Sequence, residues 1–329
     1  MYVVSAELTP TKLPLPPVGQ VANTEPPPEA DRDCLLSSYY DLRDLVVQEA
    51  EAGRLEVALR FCDRALQVAE EVGDQELADQ SFCNRSDIAI LLGYPMDFGR
   101  LREILTRSRS DYMGFRASYQ LASGFAKKKQ YKKALFYARI ALGRATASNS
   151  KDHLAKSHNE IGNCLLAESY FEEAIAEYEK VLAYIGDSPS VFYLVLYINL
   201  AYSRIVLRDF TEGFRLLFQA LKLCRKIRSG NLYESWIHLA LAYAYLEIGR
   251  LRYAWQHGRR GLRLAESSGD REAIRMALYL MGEIEKSGGD WAAAYEFYER
   301  MQQEFHPEMN NLAQSMMFVD TRQLVNLRA

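Results

Sequence analysis

Five histidines, five cysteines and 43 carboxylates are the side chains of this 329-residue chain that could carry acid–base, nucleophilic or metal chemistry. Their spacing does not assemble such a site. His153 and His158 are five residues apart and diverge on a helix, so no HExxH pair exists, and His238, His257 and His306 stand alone. Cys34, Cys62, Cys83, Cys164 and Cys224 form no CxxC and no zinc or disulfide framework, which predicts reduced, buried thiols. GxGxxG, GxxxxGK[ST] and GxSxG are absent. Glu172 and Glu173 fall at a predicted helix start, where they complement the helix dipole. The chain is therefore expected to have no catalytic residues, no metal and no cofactor.

The elements that would position any site are helical. From residue 39 apolar residues recur at three- and four-residue spacing, and alternating strand patterns are missing. Seven of ten prolines lie in the first 28 residues, so residues 1–33 are expected to be a disordered tail with polyproline II character. Its Leu13-Pro14-Leu15-Pro16-Pro17 stretch suits an aromatic groove, but no basic residue sits where such ligands usually need one. The N-terminus lacks the basic and apolar regions of a signal peptide, and the longest apolar run, Val191 to Ile198, is too short to span a membrane. A soluble, cytoplasmic protein is expected.

A longer period runs through the helices. Small residues open the second helix of successive hairpins at Ala58, Gly99 (or Leu101 in its place), Ala134, Ala174, Gly213, Ala254 and Ala294. Large-then-small doublets mark the first helices: Leu121-Ala122, Ile161-Gly162, Leu200-Ala201, Leu241-Ala242 and Met281-Gly282. Tyr131, Phe171, Phe210, Tyr253 and Trp291 precede the small residue of the second helix. Gly73-Asp74, Gly186-Asp187 and Gly269-Asp270 supply helix stop and cap between hairpins. This pattern, over about residues 39–305, resembles the tetratricopeptide repeat family in its longer form of roughly forty residues, as in kinesin light chains and bacterial signalling regulators. It departs from the pattern around Gly93-Tyr94-Pro95 and where Val181 and Met301 replace small residues.

The resemblance implies an all-α fold: a right-handed α-α superhelix of about seven hairpins over 34–306, one array rather than the two domains that length suggests. Residues 307–329 are expected to form a capping helix, which could instead dimerise the chain. In such repeats the first helices line a concave face that binds an extended or helical peptide. Carried onto this sequence, that face comprises Arg116, Tyr119, Ser123 and Lys127; Lys156, Asn159 and Asn163; Ile198, Asn199 and Tyr202; Trp236, Leu239 and Tyr243; and Tyr279, Glu283 and Lys286. One half is polar and cationic, the other aromatic. Asn163 and Asn199 match the asparagines of the subclass that clamps carboxylate tails. Asn159, Trp236 and Ala240 stand where that subclass has cations, so a peptide with an apolar or aromatic anchor is expected.

Charge is uneven. Residues 31–80 carry 13 acidic and 5 basic side chains, and residues 100–144 carry 12 basic and 2 acidic. Lys127, Lys128, Lys129, Lys132 and Lys133 form a basic rim that could steer an acidic partner or hold RNA phosphates. The overall charge of −3 does not require nucleic acid. The leading expectation is a non-enzymatic adaptor that binds a protein segment. The alternative is a regulator that responds to a peptide or small ligand.

Overall fold

Helices in this chain begin and end where capping chemistry dictates. In the computed structural model, which describes residues 29–184, 190–227 and 231–319, Gly73 takes a left-handed conformation (φ 73°) and closes one helix. The Asp74 carboxylate then accepts from the backbone N–H groups of Glu76 and Leu77 and opens the next. Gly269 and Asp270 repeat the device, with Asp270 accepting from Ala273 N–H at 3.0 Å. Gly186-Asp187 lies outside the described residues.

The hairpins are α1 (Glu29–Glu51) with α2 (Leu55–Val72), α3 (Gln75–Leu92) with α4 (Phe98–Arg107), and α5 (Asp111–Lys127) with α6 (Tyr131–Ala147). They continue with α7 (Lys151–Ala167) and α8 (Phe171–Leu182), α9 (Val191–Val206) and α10 (Phe210–Cys224), α11 (Asn231–Glu247) and α12 (Leu251–Ser268), and α13 (Arg271–Gly288) and α14 (Trp291–Phe305). A short α15 (Leu312–Phe318) follows. Among the described residues there are thus seven hairpins, a final helix and no strand.

The period has a steric cause. Ala58, Ala134, Ala174, Gly213, Ala254 and Ala294 each stand four residues after their helix's N-cap, donate to its carbonyl, and are buried. In the second hairpin this position belongs to Leu101, which donates to Asp97 O and is fully buried, whereas Gly99 is exposed. Gly99 is therefore not the repeat residue. The doublets of the first helices have a matching cause. A Cβ on Gly162 would meet the Tyr178 ring at 2.6 Å, and one on Gly282 would meet Tyr298 closer still. Both rings are fully buried on the second helix, so glycine leaves the space that the tyrosine fills.

Contacts group the chain into two compact units, whose described parts are 29–157 and 158–319. In each, second helices pack between first helices, as α2 does on α3 and α12 on α13. First helices also touch one another: α3 packs on α5 in one unit, and α9 on α11 and α11 on α13 in the other. Each unit therefore has an inner layer made of first helices.

Three boundary expectations are adjusted. The proline-rich tail falls mostly outside the described residues, but α1 already begins at Glu29, inside the span assigned to it. The cap is not one helix over 307–329. His306-Pro307 breaks the chain after α14, Asn311 turns it with φ 67°, and α15 packs Ala313 and Met316 onto α14. Residues 320–329, with Leu324 and Leu327, lie outside the described residues. Cys34 is exposed, against the expectation of buried thiols that the other four cysteines meet.

Candidate functional site

The first-helix layer of residues 158–319 brings several of the expected groove residues together, but largely by packing them. Asn199 Nδ2 donates to Asn163 Oδ1 at 3.0 Å, and the Tyr178 hydroxyl donates to the same oxygen at 2.9 Å. Asn199 is fully buried, and Asn163 and Asn159 are nearly so. This bond ties α7 to α9, so the two asparagines form a crosslink between repeats. The aromatic half is also interior: Tyr202, Trp236, Tyr243 and Tyr279 are all buried. Tyr202 and Tyr243 pack with ring centroids 5.6 Å apart, and Trp236 Nε1 donates to Asp270 Oδ2 at 2.8 Å. Asp270 is the cap of α13, so the indole N–H of the tryptophan expected to anchor a ligand reaches a helix start. Burial pushes the carboxyl of Asp270 and the phenol of Tyr243 up. Glu283 is fully buried, with Lys286 Nζ at 2.8 Å and the Tyr298 hydroxyl at 2.6 Å.

In residues 29–157 the expected cations are likewise engaged. Arg116 reaches Asn84 at 2.8 Å and Asp87 at 2.5 Å, Lys127 donates to Ile90 O, and Lys156 pairs with Asp152 at 2.7 Å. Burial lowers the Lys127 ammonium and raises the Tyr119 phenol to about 12. The opposite charges of the sequence meet within this unit: Arg100 pairs with Glu70 at 3.0 Å and Arg107 with Asp79 at 2.7 Å. Part of the basic excess of residues 100–144 thus neutralises the acidic stretch before it. Lys128 sits 4.3 Å over the Phe98 ring and Lys133 5.5 Å from that of Phe125, while Lys132 is exposed. Lys132, Leu135, Phe136, Arg139 and Ile140 line an open outer hollow of about 420 Å³ on α6.

At one register position sequence reasoning named only Asn199 and Ala240 and missed the other members. The residue immediately before each large-small doublet is Gln120, Glu160 and Asn199 in three successive hairpins, then Ala240 and Leu280. All five are buried. Among the described residues Gln120 Oε1, Glu160 Oε1 and Asn199 Oδ1 find no hydrogen-bond partner, and neither does Asn159 Oδ1. Buried polar atoms are rarely left so, and His153 Nδ1, Ser157 Oγ, Arg204 Nε and Ser235 Oγ stand likewise. The signal was legible as a polar side chain recurring before an apolar doublet.

A second feature missed is the pair His238 and His257, whose Nδ1 atoms are 2.7 Å apart. One ring must donate and the other accept, so the pair cannot hold both rings protonated. Burial, then His257 and Arg260, lower His238 to about 4, against Glu234 at 3.5 Å, while burial and Arg260 lower His257. Because the folded pKa lies below the ordinary 6.5, the stabilisation is complete above pH 6.5 and is lost as pH falls toward 4. Unfolding free energy should drop by roughly 2–4 kcal/mol across that window. His238→Gln should flatten the slope in urea titrations at pH 7, 6, 5 and 4; an unchanged slope would show that other groups cause it.

Fold and layer can now be set beside known proteins. The apo form of RapI matches with a TM-score of 0.61 at 17% identity, over 81% of this chain and 97% of that one. A Rap protein complexed with competence and sporulation factor matches with a TM-score of 0.64 at 13% identity, over 90% and 80%. A tetratricopeptide repeat protein from Parabacteroides merdae gives 0.50 at 15% identity, over 86% and 100%. The fold is that of tetratricopeptide-type repeat proteins. No protein-family model matches the chain. The 43 kDa receptor-associated protein of the synapse from Tetronarce californica is 20% identical over 258 residues, 78% of this chain. The chain spans about half, 54%, of that protein's length. No described helix is long and apolar enough to cross a membrane.

Proposed function

We propose that the chain is a non-enzymatic adaptor of the cytoplasm whose inner first-helix layer holds an extended peptide segment of a protein partner. The observation that carries this reading is the run of buried, unsatisfied acceptor oxygens on inner-face positions of α7 and α9, Asn159 Oδ1, Glu160 Oε1 and Asn199 Oδ1. A peptide backbone or side chain brings the donors that such oxygens lack. The likeness to a Rap protein complexed with competence and sporulation factor supports it at the level of fold. The reading rests on these oxygens and not on the aromatic anchor expected from sequence, whose Trp236, Tyr202 and Tyr243 are buried.

A second reading rests on Phe136, 60% exposed between Lys132 and Arg139 on the outside of α6. An acidic partner surface or nucleic-acid phosphates would dock there, with affinity falling steeply as salt rises. A displayed library of unbiased twelve-residue peptides separates the readings. Binding that survives moderate salt, is blocked by Asn159→Trp and is untouched by Phe136→Ser is the expected result. Binding lost only with Phe136→Ser would transfer the function to the outer face.

A further inference from the structure

The outer face of α12 is a comb of arginines. Arg252, Gln256, Arg259 and Arg263 follow one another at spacings of four, three and four residues, and all four are exposed. That spacing keeps them on one face of the helix, in a stripe about 16 Å long. Among the described residues Arg252, Arg259 and Arg263 have no acidic partner, whereas Arg260, on the flank of the stripe, is paired with Glu234 at 2.6 Å. Arg259 is also held in place. Its guanidinium lies 5.1 Å from the centre of the Trp255 ring, and Trp255 Nε1 donates to Glu285 Oε1 on α13 at 2.7 Å. An arginine resting on an indole keeps its N–H groups free for a bidentate acceptor. Tyr253 stands beside Arg252 and is 52% exposed. The next second helix has the opposite sign: α14 exposes Glu296 and Glu299. Arg300 of α14 reaches Glu266 near the end of α12 at 2.8 Å, so the basic and acidic outer faces adjoin there.

We infer that the outer face of α12 is a second docking surface, for a short acidic segment of a partner protein. It is separate from the inner first-helix layer and does not depend on a ligand there. A helical segment with carboxylates at three- and four-residue spacing, laid along α12, meets Arg252, Arg259 and Arg263 in turn, and Gln256 donates to an acceptor between them. Arg259, preset on Trp255, loses little freedom on pairing, so affinity depends on it most. Length decides between carboxylates and phosphates. A nucleic-acid strand or an anionic membrane extends well beyond ~16 Å and brings its charge against Glu296 and Glu299 of α14, whereas a helical segment of about 12 residues ends within the stripe. An inner layer and an outer stripe that each take a segment let one chain join two proteins.

The test uses the full chain and a fluorescent helical peptide of about 16 residues, with glutamates at three- and four-residue spacing on its central turns. Its control has glutamine in place of each glutamate. Anisotropy should show the glutamate peptide bound at least about 10-fold more tightly than the glutamine peptide, and more weakly as salt rises. Arg259→Glu should weaken that binding about 10-fold, and Arg259→Lys, which keeps the charge and gives up the bidentate fork, about 3-fold. Arg102→Glu makes the same charge change at an exposed site on α4 and should leave the binding as it is. Equal losses in Arg102→Glu and Arg259→Glu, or no preference for the glutamate peptide, would overturn the inference. Single-stranded polyuridine and vesicles containing phosphatidylserine complete the comparison. Tighter binding of either than of the glutamate peptide, lost in Arg259→Glu, would overturn the assignment to a protein partner. Library peptides should bind Arg259→Glu as they bind the intact chain. Failure of the glutamate peptide alone would therefore remove the outer surface and leave the inner-layer reading standing.

Discussion

Lys286→Met should lower the unfolding free energy by about 3–5 kcal/mol, among the largest effects of any single change in this chain. The Glu283 side chain is 0% exposed, with Lys286 Nζ 2.8 Å from Oε1. Removing the cation leaves a buried carboxylate without the charge that offsets its own, although the Tyr298 hydroxyl still donates to it at 2.6 Å. Lys286 also donates to Met316 O at 2.9 Å and Val319 O at 3.1 Å, so the same change releases the end of α15. Faster amide exchange over 312–319 should accompany the loss. The double change Lys286→Met with Glu283→Leu should recover most of the stability, because it removes the buried charge with its partner. Urea unfolding followed by circular dichroism measures both. A loss below about 1 kcal/mol for Lys286→Met would mean that water reaches Glu283 and that this pair is a surface one.

Trp236→Ala should cost about 3–5 kcal/mol, for a different reason. The indole is 2% exposed and its N–H donates to the carboxylate that caps α13. Truncation leaves a cavity and removes a donor from Asp270, whose carboxyl burial already pushes up. Trp236→Phe fills most of the volume and should cost about 1–2 kcal/mol, chiefly the hydrogen bond. Peptide binding by Trp236→Phe should match that of the intact chain. If Trp236→Phe keeps its stability and loses peptide binding, the indole is a ligand anchor after all, as its place on the first helix suggested.

The two variants show where sequence was informative and where it was not. Hairpin period, doublets and Gly-Asp caps are local devices, each set by a backbone bond or a close helix approach, so Gly162, Asp74 and Ala174 announce the fold directly. Gly99 misled because smallness was sought, when the register, fixed by the Asp97 cap, selects Leu101. The inner face was projected from position, and position does not report depth. Whether Asn199 or Trp236 meets a ligand or a neighbouring helix depends on how closely α9, α11 and α13 pack, a tertiary property. Paired cations were hidden for the same reason: Arg107 and Asp79 are 28 residues apart in sequence and 2.7 Å apart in space. Glu160 was legible as a polar position in the repeat register, but its burial was not.

Hydrogen–deuterium exchange of the full chain, with and without the saturating peptide pool, tests the central claim most directly. Protection confined to first helices, led by α7 and α9 around Asn159, Glu160 and Asn199, is the predicted result. Protection on the outer face of α6 around Lys132 and Phe136, or no protection anywhere, would contradict it.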